Sequence, residues 1–82
     1  MEQKSQTDIR KIIADRLKLA RKEAGFTTPS AFCKQYCFDL SRYQEHENAM
    51  IPITASALMQ YGIALNISFT YLILGENLNH LK

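Results

Sequence analysis

Cap-type residues and helix stops divide this chain into five short pieces, and nothing else in the sequence limits its fold as strongly. Thr27-Thr28-Pro29 sets a hydroxyl cap before a proline at a first helical position, where the missing N–H costs nothing. Asp39, Thr54 and Ser68 each stand just before an apolar-periodic run, and Thr7-Asp8 offers caps for the opening one. Gly25, Asn66 and Gly75 suit the left-handed conformation that ends a helix. The connectors left between these signals run to about three to six residues, which fits packed neighbouring helices.

The runs themselves have helical period. Ile9, Ile12, Ile13, Leu17, Ala20 and Ala24 make the stripe of a first helix, with Arg10, Lys11, Lys18, Lys22 and Glu23 largely opposite. Ala31, Phe32, Cys33 and Tyr36 mark a second helix. A third runs through Leu40, Tyr43 and Glu47. Pro52 makes the segment 49–53 a connector. Ala57, Leu58, Tyr61 and Leu65 mark a fourth helix, and 69–74 a fifth. Valine is absent while Leu, Ala and Ile number 9, 8 and 8, a mixture that favours helix over sheet. The expectation is one compact all-α domain over residues 1–82, with a core from about 8 to 75 and polar extensions.

Composition excludes other classes. With 46% hydrophobic and 22% charged residues in 82, the chain is neither a disordered tail nor a low-complexity segment. No apolar run approaches the ~18 residues of a membrane span, and MEQKSQTDIRK has no apolar signal core. Two cysteines are too few for a disulfide scaffold and suggest a reducing compartment. Cys33 and Cys37, four apart, read as small buried packing residues. His46-Glu47 lacks the second histidine of a zinc-protease motif, and no triad or glycine-rich phosphate loop is present, so no metal, cofactor or catalysis is expected. Charge is lopsided: residues 1–42 balance at +4 and residues 43–82 at −2, which suits a polyanionic partner on one side.

The second and third helices, separated only by a tight turn around Cys37-Phe38, match the spacing of a helix-turn-helix unit. Small residues are wanted at 33 and 37, and inward apolar ones at Phe32, Phe38 and Tyr43.

From about Ile13 to Gly75 the sequence resembles the Cro/phage-repressor (XRE, lambda-repressor-like) family of helix-turn-helix domains. The resemblance rests on LKLARKEAGF at 17–26, SAFC at 30–33, LSRYQEHEN at 40–48, and YGIALNIS with YLILG at 61–68 and 71–75. It implies a five-helix DNA-binding transcriptional regulator, not an enzyme, that docks its third helix in the major groove of double-stranded DNA. It pairs Arg21 with Glu47 as a structural ion pair. It makes Leu40, Ser41, Gln44 and Glu45, with Arg42 at the edge, the base-reading set. Thr27, Thr28, Lys22, Lys34 and Asn48 become phosphate contacts. A repressor of phage or mobile-element style in the bacterial cytoplasm, at the nucleoid when bound, is the implied setting. A homodimer would use Phe69, Ile73, Leu78 and Leu81.

The departures from the family pattern lie after the third helix. Ala49, Met50 and Ile51 stand where glycine and basic residues are usual, so two phosphate-binding charges are missing. The apolar run Met50, Ile51 and Ile53 supports an alternative, a degenerate helix-turn-helix module that binds protein. A second alternative is the antitoxin of a toxin–antitoxin pair.

Overall fold

The computed structural model describes the backbone of residues 4–75 and the side chains of residues 9–75. Five helices follow in order: α1 (Lys4–Glu23), α2 (Pro29–Tyr36), α3 (Leu40–Glu47), α4 (Ala55–Leu65) and α5 (Phe69–Leu74), with no strand among the described residues. No helix of the described residues is long and apolar enough to cross a membrane.

The local signals act as the sequence suggests at four of five helix starts. The side chains of Thr28, Asp39, Thr54 and Ser68 accept the backbone N–H of Ala31, Arg42, Ala57 and Tyr71 at 3.1, 2.8, 3.1 and 2.9 Å. Each bond satisfies one donor that the helix itself cannot. Asn66 and Gly75 end α4 and α5 in the left-handed region, at φ 60° and 77°. Gly25, at φ 99°, closes α1 with Phe26 N–H returning to the Arg21 carbonyl at 3.1 Å.

The opening of α1 differs from expectation. The helix begins at Lys4, so Thr7 and Asp8 lie inside it rather than capping it. Nothing between residues 4 and 8 breaks a helix, and weak cap preference gives way to continued hydrogen bonding. The expected stripe also turns out too long. Ile9 is 57% exposed and Ile12 43%, and Ala24 is exposed too, while Ala14, Leu17, Ala20 and Arg21 are buried. α1 packs against α3 and α5, and these short helices cover only its middle.

The core joins Leu17, Ala20, Phe32, Cys33, Tyr43, Leu58, Tyr61, Leu65 and Leu72, so every helix contributes. Phe32 is its centre. Its ring lies 5.1 Å from that of Tyr43 and 5.5 Å from those of Phe26, Tyr36 and Phe38. Tyr61 adds edge-on contacts at 5.1 Å with Phe38 and Tyr43. Such aromatic pairs add about 0.5–1.5 kcal/mol each beyond their burial, and here they tie α2, α3 and α4 together.

Cys37 corrects another expectation. Cys33 is buried, but Cys37 is exposed and holds φ 61° as the left-handed cap of α2. The turn demands that conformation, and a residue there points away from the core.

α5 has only six residues and depends on α1. Arg16 Nη1 donates to the carbonyls of Leu72 and Ile73 at 3.3 and 2.9 Å, satisfying acceptors at the helix end. Gly75 fits beside that guanidinium closely, since a Cβ there would stand 2.6 Å from Nη2.

Candidate nucleic-acid interface on the third helix

α3 presents two different faces. Tyr43, His46 and Glu47 are buried, while Leu40, Ser41, Arg42, Gln44 and Glu45 are exposed. The inner three are spaced i, i+3, i+4, as one side of a helix requires. Asp39 starts the helix and Asn48 ends it, with Ala49 following at φ 59°.

The inner face is polar, and every buried atom of it is satisfied. Arg21 Nε and Nη2 donate to Glu47 Oε2 and Oε1 at 2.7 and 3.3 Å. The Tyr43 hydroxyl donates to Glu47 Oε2 at 2.6 Å, and Arg21 Nη1 donates to the Phe26 carbonyl at 2.6 Å. The pair links α1 to α3 and pins the start of the connector to α2. Among the described residues, no buried side-chain nitrogen or oxygen lacks a partner. Burial by itself would lower the Arg21 guanidinium, but the Glu47 carboxylate outweighs it and holds Arg21 above its ordinary value. Burial, and then Glu47, push the Tyr43 hydroxyl well up.

His46 forms a second link. Its Nδ1 lies 2.7 Å from the Tyr61 hydroxyl, which ties α3 to α4. Burial, and then the Arg42 charge, lower the His46 imidazole, against a smaller upward pull from Glu45. Burial pushes the Tyr61 hydroxyl up to about 12. Both groups are therefore neutral near pH 7.

Comparison with protein-family models, curated proteins and solved structures gives no match for this chain.

The residues expected at phosphates are all exposed: Lys22 in the last turn of α1, Thr27 and Thr28 before α2, Lys34 within α2, and Asn48 at the end of α3. One detail limits what the start of α2 can offer a phosphate. Pro29 has no N–H, and Thr28 already takes that of Ala31, which leaves Ser30 as the free amide of that first turn. The apolar run after α3 is also narrower than its sequence suggests. Met50 is 66% exposed, but Ile51 is half-buried and Ile53 packs on the core.

His46, Tyr61 and Arg16 have structural roles that the sequence reading did not assign. The 43, 46, 47 spacing places His46 with Tyr43 and Glu47 on the inner face. Its partner fifteen residues away, like the target of Arg16, has no local signal.

Proposed function

We propose that the chain is a sequence-specific DNA-binding transcriptional regulator with a lambda-repressor-like helix-turn-helix fold, of the Cro/phage-repressor type. The observation that carries this reading is the division of α3: Leu40, Ser41, Arg42, Gln44 and Glu45 face outward, and the residues between them are locked inward. A helix fixed from behind and free in front can enter a major groove without reordering its own scaffold. Gln44 suits adenine, Ser41 either partner of a pair, Glu45 the cytosine amino group, and Leu40 a thymine methyl. Exposed Lys22 and Lys34, with Thr27, Thr28 and Asn48, supply phosphate contacts that set position rather than sequence.

A homodimer on DNA would join through α5, where Phe69 and Leu74 are exposed and Ile73 is partly so. Leu78 and Leu81, the other proposed dimer residues, lie outside the described residues. Sedimentation at tens of micromolar, with and without operator, tests that assembly.

The test of function is selection of bound duplexes from a random library at low salt, followed by titration at rising salt. Gln44→Ala is expected to lose ~1–3 kcal/mol at a selected site and relax preference at one base pair. Lys34→Ala is expected to weaken all duplexes alike and to reduce the salt slope by ~1. Failure of the folded protein to enrich any sequence would instead favour the protein-binding module. That second reading draws on Met50, exposed where a basic residue would serve DNA, and on Asp39 and Glu45 set against the single Arg42. The antitoxin reading combines the two and would show as one protein partner captured together with DNA.

A further inference from the structure

Between α3 and the start of α4 lies a dent of about 250 Å³, walled by the rings of Phe38 and Tyr61. His46 lines it and is only 3% exposed. Its Nδ1 is spent on the Tyr61 hydroxyl at 2.7 Å. That hydroxyl makes no other hydrogen bond among the described residues, and in the arrangement in which it donates, Nδ1 is the acceptor. The neutral ring then carries its own proton on Nε2. Nε2 has no protein partner among the described residues, yet no buried nitrogen there is left unsatisfied. Nε2 is therefore not fully enclosed, and the ring it belongs to lines the dent.

Other donors meet it there. Arg42 and Ser56 line the same dent. Thr54 takes the Ala57 N–H at 3.1 Å, so the Ser56 N–H in the first turn of the eleven-residue α4 has no partner within its helix. The positive end of the α4 dipole points the same way. One carboxylate also lines the dent. Asp39 Oδ2 accepts the Arg42 N–H at 2.8 Å, which leaves Oδ1 as an acceptor without a donor.

We propose that the α3–α4 dent binds a protonated oxyanion, a hydrogen phosphate or the monoanion of a phosphate monoester. His46 Nε2–H, Arg42, and the N–H and hydroxyl of Ser56 hold its oxygens, and Asp39 receives its P–OH. The acidic wall makes the site selective. Sulfate has the same shape but no proton to give, and it meets Asp39 as a like charge. The phosphodiester of a DNA backbone has none to give either, so the site prefers a free phosphate. Arg42 also stands at the edge of the proposed base-reading surface, so a filled dent draws it away from DNA. The site itself does not depend on the DNA reading.

The test is a two-dimensional NMR titration of the full chain, near pH 6.5, with inorganic phosphate against sulfate at matched ionic strength. Saturable shifts are expected at the Ser56 amide and the His46 ring, with phosphate binding at least about five-fold tighter than sulfate, the worth of one hydrogen bond. Arg42→Ala, at an exposed position, should weaken phosphate by about ten-fold, within the range for a hydrogen bond to a charged group. Asp39→Asn keeps a good helix cap and should erase the preference over sulfate. Equal binding of the two anions by the unaltered chain, or shifts confined to the lysines of α1, overturns the proposal. A short random-sequence duplex serves as the second arm. If it moves Ser56 and His46 while free phosphate does not, the dent is a backbone contact and the proposal fails. Phosphate binding by a chain that binds no DNA at all would leave the site standing and remove the regulator reading.

Discussion

The link that ties α3 to α1 is ionic and several bonds deep, whereas the link that ties it to α4 is neutral and rests on one bond. Glu47 accepts from Arg21 twice and from Tyr43 once. Among the described residues, His46 hydrogen-bonds to Tyr61 alone. A buried charge pair adds little net stability, because desolvation offsets attraction, but each partner depends heavily on the other. A buried neutral pair costs less to form and less to lose. One helix is thus held by a rigid hinge on one side and a lighter catch on the other.

Three changes test that contrast, in falling order of effect, and a fourth lies outside both links as a control. Arg21→Ala leaves the Glu47 carboxylate buried without its cation, and is expected to cost ~3–5 kcal/mol in denaturant unfolding. A loss that large approaches the lower end of the total stability of a small domain, about 5 kcal/mol. Tyr61→Phe keeps the ring contacts and removes only the partner of His46, so ~1–3 kcal/mol is expected. If the two variants lost the same amount, the distinction between the links would fall.

The pH response separates the links further. His46 is held below its ordinary value, so as pH drops below about 6.5 the unfolded chain takes up the proton before the folded chain does. This contribution is fully present above that pH and is lost as pH falls toward the lowered folded value. Arg42 and Glu45 act on the imidazole from α3, Tyr61 faces it from α4, and Asp39 shares the dent. Thermal unfolding between pH 7 and pH 5 should show the loss, and His46→Gln should flatten it. Arg21, held above its ordinary value, contributes nothing to that window. The smallest expected effect is a gain. Ala49 sits at φ 59° after α3, where a Cβ is strained, so Ala49→Gly should raise stability by up to ~1 kcal/mol without touching either link.

These links also show how far the sequence could be read. Helix starts and stops were legible because Thr28, Asp39, Thr54 and Ser68 act within three residues of themselves. The charged link was legible through the family resemblance of Arg21 and Glu47. The neutral one was not, because nothing local to His46 indicates Tyr61 on another helix. Periodicity gave α1 its inner face but not the length of it that neighbours cover, and so Ile9 and Ile12 were misplaced. Cys37 was misread because its place in the turn, rather than its size, decides its exposure. The outward set of α3 came with the family resemblance, and helical period agrees with it for Leu40, Ser41, Gln44 and Glu45. The dent beside it needed the meeting of α3 with α4.

The contact of Arg16 with the end of α5 has a consequence for how the domain is made. A six-residue helix does not persist alone, since isolated helices need ~12–15 residues to be even marginal. α5 exists because Leu72 is buried and Arg16 holds its last carbonyls. α1 is synthesised first, yet its inner face is not closed until Gly75 has been added. At ~5–20 residues per second, translation leaves it waiting for some seconds with Leu17 uncovered. The nascent chain is therefore most open to proteases and to wrong partners before its fifth helix arrives. A premature stop ahead of residue 75 would yield an unclosed bundle cleared by proteolysis, rather than a weaker version of the same protein.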